Sequence, residues 1–293
     1  MKKLFCILLG LAALGATAEL DKEILLNEAK LIEALQKAET SDNDKVTACQ
    51  NLGWCGTRTA IGPLSAMLAN EKAHLRHAAR YGLEMIPEPA VEDAFCEAAG
   101  RLSGPALVGV LQSMGNRGNA KSAAILAKRM SDGDAAVAAA AVQSLGKLAT
   151  PEALAALKGG LGKCPKVAVA YLEAAGKVAC ADPAKAAGCY SEIRTDKENV
   201  CPATRLGALR GEIVTSGAAG LKLWQESLAC ADGDTVDTAL RAVLDAPAGA
   251  ETTVAFAAML SKAPAVQARL ATLLGQRRDK AAVPALAALA KGE

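Results

Sequence analysis

The sequence is poor in aromatic residues, in histidine and in net charge. Of its 293 residues only 3% are aromatic, two are histidines, and 33 basic residues nearly balance 31 acidic ones. Nucleic-acid-binding proteins usually carry a clear basic excess, so this balance argues against a nucleic-acid partner. Runs of valine, isoleucine and aromatic residues, which are typical of strands, are also scarce. The hydrophobic share of 52% excludes a disordered chain, because such chains combine low hydrophobicity with high net charge.

Recognisable catalytic and metal-binding motifs are missing as well. The sequence has no Gly-x-Ser-x-Gly, no P-loop and no dinucleotide fingerprint. His74 and His77 are too close for an HExxH site, and no Cys-x-x-Cys pair is present to suggest zinc. We interpret the two histidines as part of a solvated or partly packed helix face. The sequence therefore predicts a protein that is not an enzyme and that holds no metal and no cofactor.

Residues 1–18 have the pattern of a secretory signal peptide. Two lysines open the segment, an apolar run follows from Leu4 to Ala13, and small residues precede a cleavage point after Ala18. A membrane-spanning helix needs about 20 apolar residues, and this run is well short of that. We predict that residues 1–18 are removed and that the protein is exported, periplasmic or extracellular, without stable membrane insertion. Cleavage leaves 31 basic residues, 31 acidic residues and eight cysteines.

A repeat of about 31 residues organises the rest of the chain. Alanine, the best helix former, contributes 66 residues. A Leu-Gly pair or a degenerate copy of it recurs at spacings of 30 to 35 residues. The second residues of these pairs, here called the anchor residues, are Gly53, Glu84, Gly115, Gly146, Gly176, Arg210, Asp245 and Gly275. Such a period indicates stacked helical pairs in which each pair buries its apolar face against its neighbours.

Flanking residues predict where each helix begins and ends. We expect the anchor glycines to provide left-handed C-terminal caps of the first helices. Pro89, Pro151 and Pro183 suit the first turn of the second helices. Small alanine side chains would let successive layers approach closely. The pattern thus predicts eight helix–turn–helix units over residues 40–293, preceded by an N-terminal capping helix at 19–39.

The repeat resembles the HEAT repeat family, in particular the short PBS-lyase HEAT-like type, and we identify the chain as an exported bacterial member. The resemblance rests on one copy with Asp134, Val137, Ala140, Ala141 and Leu145-Gly146, although Ala138 stands where arginine is usual. It implies an all-α fold, an α-solenoid in which about eight helical hairpins form a right-handed superhelix. The implied role is protein–protein interaction, and some members resemble subunits of chromophore lyases.

In this family the second helices usually line the concave surface. The resemblance therefore selects six polar residues of the second helices as candidates for binding a protein partner: Glu92, Lys121, Lys128, Glu152, Lys158 and Lys222. Two other functions stay open at this point. One is an accessory subunit of a lyase or another enzyme, and the other is an envelope structural protein that self-associates through the alanine-rich C-terminal helix.

The eight remaining cysteines form an even set, which an oxidising compartment can pair completely. Cys201 begins one helix and Cys230 follows its antiparallel partner, so the two sulfurs are candidates for a bridge. Cys164 competes for Cys201 across adjacent loops, and Cys180 with Cys189 is a possible local bridge. Buried free thiols are the alternative to structural disulfides.

Overall fold

The computed structural model describes the backbone of residues 17–247 and 249–292, and the side chains from residue 27 onward within those ranges. This part of the chain forms seventeen α-helices and no strand. The all-α prediction is therefore confirmed. The first 16 residues of the predicted signal peptide lie outside the described residues.

Helix α1 (Thr17–Gln36) precedes eight helical pairs. The first four pairs are α2 (Asp42–Cys55) with α3 (Arg58–Met67), α4 (Ala73–Met85) with α5 (Ala90–Arg101), α6 (Gly104–Arg117) with α7 (Ala123–Arg129), and α8 (Ala135–Leu148) with α9 (Pro151–Gly159). The last four are α10 (Pro165–Ala179) with α11 (Pro183–Thr195), α12 (Pro202–Thr215) with α13 (Gly217–Leu228), α14 (Gly233–Asp245) with α15 (Ala250–Ala257), and α16 (Gln267–Arg277) with α17 (Val283–Lys291). Short 3-10 turns open α7, α16 and α17.

The chain divides into two compact units, unit 1 at residues 1–144 and unit 2 at residues 145–293. In unit 1 the first helices α2, α4 and α6 pack in succession, and the second helices α3 and α5 pack on each other. In unit 2 the same succession runs through α10, α12, α14 and α16. This layering of first helix on first helix confirms the predicted repeat of stacked pairs.

The anchor glycines lie inside the first helices, so the prediction that they form left-handed caps is wrong. Three of them, Gly53, Gly115 and Gly146, allow a close approach between layers. A Cβ atom on Gly53 would lie 3.2 Å from the Cα atom of Gly82, and one on Gly115 would lie 2.7 Å from the Cβ atom of Ser144. Any larger side chain would push the neighbouring first helix away. The Leu-Gly pair thus marks the last turn of the helix and its contact with the next layer.

The prolines occupy the positions that the sequence predicts. Pro151 and Pro183 are the first residues of α9 and α11, and Pro89 immediately precedes α5. The missing N–H of proline costs nothing in the first turn, where backbone donors have no partner within the helix.

Helix α1 is fixed to the first pair by a buried carboxylate. Glu28 is 2% exposed, and its carboxylate accepts hydrogen bonds from the Thr57 amide at 2.7 Å, the Thr57 hydroxyl at 3.0 Å and the Thr59 hydroxyl at 2.9 Å. Thr57 is the N-cap of α3, so the anion also faces the positive end of a helix. Leu35 completes the contact from the apolar side of α1. The predicted capping helix is therefore present as a packed element.

Two arginines connect consecutive pairs in the same register. Arg117 and Arg277 each lie two residues after an anchor glycine and donate to carbonyl oxygens 34 and 31 residues earlier. For Arg117 these belong to Leu83 and Ile86, at 3.2 and 2.9 Å. For Arg277 they belong to Val243 and Ala246, at 2.6 and 2.8 Å. Each guanidinium satisfies the free carbonyls at the end of the preceding first helix.

Candidate interaction surface

Glu92, one of the six predicted binding residues, is fully buried. Its carboxylate accepts a hydrogen bond from the Ser122 hydroxyl and lies 3.6 Å from the Nε atom of Arg117. Arg117 is the guanidinium that binds the end of α4, so Glu92 supplies the negative charge that this buried cation needs. In this position Glu92 stabilises the contact between pairs and does not face a partner.

The other five predicted residues are exposed on second helices or, for Lys121, on the 3-10 turn that opens one. Three of them already have ionic partners: Lys121 lies 3.4 Å from Asp93, Lys158 lies 2.6 Å from Glu192, and Lys222 lies 3.9 Å from Glu226. Lys128 and Glu152 have no ionic partner among the described residues. None of these five side chains lines any of four cavities found among the described residues.

The eight cysteines of the described residues are free thiols in this structure. Cys49 is buried, as its place on the first helix predicts, and burial raises the pKa of its thiol to about 11. Pro202, next to Cys201, lines one cavity of about 540 Å³ together with Cys230. The start of α12 and the end of α13 therefore do meet, and the Cys201–Cys230 and Cys180–Cys189 pairings remain predictions for the oxidised protein.

Cys201, the N-cap residue of α12, has a hydroxyl partner for its sulfur. Its sulfur lies 3.2 Å from the Thr204 hydroxyl at the exposed start of α12. The hydrogen bond with that hydroxyl, together with the amides of the first turn, holds the pKa of Cys201 below its usual value. Helix N-termini stabilise thiolates in this way.

The most distinctive surface of the molecule lies on the first helices of unit 1. Trp54 of α2 is 72% exposed, and Tyr81 and Met85 of α4 are 39% and 37% exposed. Large apolar side chains scattered singly on a surface are ordinary, but an aromatic pair on adjacent helices is not. The sequence holds only two tryptophans and three tyrosines, and one of each is placed here.

Trp54 and Tyr81 line one groove between α2 and α4, here called the α2–α4 groove, with a volume of about 480 Å³. Its remaining lining residues are Val46, Gln50, Asn51, His74, His77 and Ala78. None of these described lining residues carries a formal charge when the histidines are neutral. The groove therefore offers two aromatic faces, two amides and two imidazoles.

The two histidines face the groove from α4 and are held by neighbours outside its lining. The Nε2 atom of His74 lies 3.3 Å from the Asp42 carboxylate, and the Nδ1 atom of His77 lies 3.2 Å from a guanidinium nitrogen of Arg80. The prediction of a solvated helix face is therefore confirmed. The same face also forms part of the groove that Trp54 and Tyr81 line. Asp42 also holds Lys72 at 2.7 Å, and this ion pair lowers the pKa of the Asp42 carboxyl.

The repeat itself contains a sequence signal for this groove. Relative to each anchor residue, the exposed stripe of a first helix falls seven and three residues before and one residue after, which is the spacing of one helical face. In the first two pairs this stripe reads Val46, Gln50, Trp54 and His77, Tyr81, Met85. In the fourth and fifth it reads Ala139, Gln143, Lys147 and Val169, Glu173, Lys177. The aromatic character of the stripe is therefore specific to the first two pairs, and an alignment of the repeats on their anchor residues is sufficient to find it.

Neither a metal centre nor a membrane span is evident in the described part of the chain. No cluster of three or more His, Cys, Asp or Glu side chains with metal-binding geometry occurs among its residues. Within residues 17–247 and 249–292, no helix combines the length and the apolar character needed to cross a bilayer.

One segment of the chain matches the model of a known repeat family. Residues 105–175 match the family model described as HEAT repeats. The matched stretch contains α6 to α9 and most of α10, and its neighbours on both sides continue the same pairing of helices. The resemblance seen in the sequence is thereby confirmed for this segment, and the whole described chain has an all-α repeat fold.

Three solved structures are similar to this chain at low identity. The complex of CpcE and CpcF of phycocyanin lyase from Nostoc sp. PCC7120 is 21% identical with a TM-score of 0.39, and the match covers 74% of this chain and 94% of that one. Human deoxyhypusine hydroxylase is 14% identical with a TM-score of 0.37, covering 78% and 97%. An engineered protein is 14% identical with a TM-score of 0.40, covering 89% and 81%. No curated protein sequence matches the chain.

Proposed function

We propose that this protein is an exported binding scaffold that captures a protein partner in the α2–α4 groove. The observation that carries the proposal is the exposure of Trp54 and Tyr81 side by side in a chain with so few aromatic residues. Tryptophan and tyrosine are the residues most often responsible for binding energy at protein interfaces. Stacked helical pairs supply a rigid, extended surface for such contacts.

The balance between the two helix faces supports this location. On the second helices, three of the predicted lysines are exposed and already paired with acidic neighbours. Exposed ion pairs contribute little to affinity, because water and salt screen them. The aromatic side chains of the groove have no such competing partner, and covering them removes apolar area from water.

Capture of a partner tests the proposal directly. The full-length protein should recover one stoichiometric protein from an extract of its native compartment. Trp54→Ala should lower the recovery of that same protein about tenfold or more, because it removes the larger aromatic anchor. Val254→Ala is the matched control, since Val254 is 53% exposed and lies far from the groove in sequence, on α15. Equal recovery by wild type and Trp54→Ala would contradict the proposed site.

Export is the second part of the proposal and needs its own measurement. A signal peptide cleaved after Ala18 yields a mature chain that starts at Glu19. Cell fractionation followed by mass spectrometry of the N-terminal peptide should find this start in the periplasmic or extracellular fraction. An intact N-terminus confined to the cytoplasmic fraction would overturn export while leaving the groove proposal untouched.

A further inference from the structure

The polar groups of the α2–α4 groove restrict the form of the segment that it binds. Gln50 and Asn51 line the groove with their amides, beside the Trp54 indole and the Tyr81 hydroxyl. None of these four side chains has a hydrogen-bond partner among the described residues. Each needs a hydrogen-bond partner from the ligand once binding excludes water, because a buried donor or acceptor left unpaired is unfavourable.

An amphipathic helix is a poor occupant for this reason. The main-chain groups of a helix are bonded to each other, so its apolar face offers no acceptor to the groove's amides. Grooves that bind helices are hydrophobic and read a series of apolar anchors. Addition of a strand is also excluded as a binding mode here, because it requires an open sheet edge and the described residues form no strand.

A polyproline II segment offers both hydrogen-bond acceptors for the amides of the groove and apolar faces for its aromatic rings. Its backbone has no internal hydrogen bonds, so its carbonyl oxygens are free to accept from side chains. Its proline rings are flat apolar faces, and aromatic-lined grooves are a recurrent site for such segments.

We infer that the α2–α4 groove binds a proline-rich segment in the polyproline II conformation. Proline rings pack against Trp54 and Tyr81, and the amides of Gln50 and Asn51 donate to main-chain carbonyls of the segment. The inference rests on the proposed function, since it names the chemistry of the partner at that same site. Because the described lining residues carry no formal charge, binding is expected to depend weakly on salt.

The chain contains its own reporter for this interaction. Trp224, the second tryptophan, is fully buried, and its indole N–H donates to the Ala239 carbonyl at 2.8 Å. Trp54 is therefore the tryptophan whose emission and acrylamide quenching respond to a ligand in the groove.

The test is a fluorescence titration of the full-length protein with an acetylated and amidated decaproline peptide. We expect a saturable change in Trp54 emission and protection of Trp54 from acrylamide. Tyr81→Ala should raise the dissociation constant about tenfold, because it removes one of the two ring platforms. Val254→Ala should leave it unchanged, and so should a change from low to high salt.

Three results would overturn the inference. One is the absence of any saturable change with decaproline. Another is binding of decaproline that Tyr81→Ala does not weaken. The third is that an amphipathic helical peptide or a neutral glucan oligosaccharide, titrated in parallel, protects Trp54 where decaproline does not. If decaproline fails while partner capture still depends on Trp54, the proposed function stands and only the segment type is wrong. If capture is independent of Trp54, the proposed function fails.

Discussion

The two tryptophans of the chain lie in opposite environments, one in each unit. In unit 1, Trp54 is 72% exposed at the rim of the α2–α4 groove. In unit 2, Trp224 is fully buried, and its ring meets that of Phe256 edge to face at a centroid distance of 4.6 Å. Tyr171 and Tyr190 of unit 2 are buried as well. Unit 2 therefore uses its aromatic residues for packing, whereas unit 1 presents two of its own to solvent.

The spacing of the repeat explains how unit 2 accommodates these rings. Anchor residues of unit 1 are 31 residues apart, but the intervals that follow Gly176 and Arg210 are 34 and 35 residues. The longer pairs contain Tyr190 and Trp224, and glycine supplies further room: a Cβ atom on Gly211 would lie 2.4 Å from the Tyr190 ring. In these two pairs the added residues, and the glycine opposite Tyr190, make room for a large ring.

Stability should separate the two tryptophans most strongly. Trp224→Ala leaves a large cavity and removes the hydrogen bond from the indole to the Ala239 carbonyl, so we expect the free energy of unfolding to fall by about 3–5 kcal/mol. Trp54→Ala removes an exposed side chain and should change it by about 0.5 kcal/mol or less. Urea denaturation followed by circular dichroism measures both. Similar decreases in the free energy of unfolding for the two variants would mean that Trp54 is part of the core. The contrast between an exposed and a buried tryptophan would then be wrong.

The arginine contacts give the next largest difference. In unit 1, Arg117 relies on the fully buried Glu92, so Glu92→Ala leaves a largely buried cation without its counter-charge. Breaking a buried ion pair costs about 3 kcal/mol or more. Glu152→Ala, which removes an exposed glutamate from another second helix, should be within about 0.5 kcal/mol of wild type and is the control. If Glu92→Ala keeps its stability but loses partner capture, Glu92 has the binding role that the sequence suggested.

Thiol chemistry should differ between the units in rate rather than in stability. Cys201 of unit 2 is exposed with a lowered pKa, whereas the pKa of the buried Cys49 in unit 1 is raised to about 11. Because the thiolate is the reactive form, iodoacetamide at neutral pH should alkylate Cys201 at least about tenfold faster than Cys49. Peptide mass spectrometry of the reduced protein over time gives both rates. The ratio of the Cys201 rate to the Cys49 rate should be unchanged in Thr204→Ser. It should fall in Thr204→Val, which lacks the hydroxyl that contacts the sulfur.

The smallest effect concerns pH and belongs to unit 2. Asp279 accepts hydrogen bonds from the Thr253 hydroxyl at 2.6 Å and the Ala281 amide at 3.0 Å, and the first of these does most to hold its pKa below the usual value. A depressed pKa in the folded state means that the stabilisation is present above the unfolded value of about 3.9 and is lost as pH falls through the folded value. The stability difference between wild type and Asp279→Asn should therefore shrink as the solution is acidified below that range. A difference that is constant with pH would show that the carboxylate charge is not involved.

Much of the fold could be predicted because each residue occupies an equivalent position in successive copies of the repeat. The number of helical pairs, the capping helix and the prolines at helix starts all follow from spacing and local chemistry. The role of the anchor glycines could not, because a Leu-Gly pair near a helix end looks the same whether the glycine adopts a left-handed conformation or lies against the next helix. Only the contact of Gly53 with Gly82 distinguishes the two.

The candidate site was harder to predict because exposure depends on tertiary packing. Glu92 occupies a second-helix position that looks solvent-facing, yet Arg117 and Ser122 enclose it from the next pair. The reverse holds for Trp54, since a tryptophan in an apolar repeat is normally assigned to the core. The family resemblance also predicted binding residues on the second helices, whereas the unpartnered aromatic side chains of the groove are on first helices.

Photo-crosslinking in intact cells tests most directly whether the α2–α4 groove binds the partner. A benzoylphenylalanine crosslinker would replace Tyr81 in the groove, Lys128 on the second-helix face, or Val254 in unit 2 as a control. We predict one major crosslinked protein from position 81, its loss when Trp54→Ala is added, and little product from positions 128 and 254. A product of equal or greater yield from position 128 that Trp54→Ala does not reduce would contradict this account and locate the partner on the second helices.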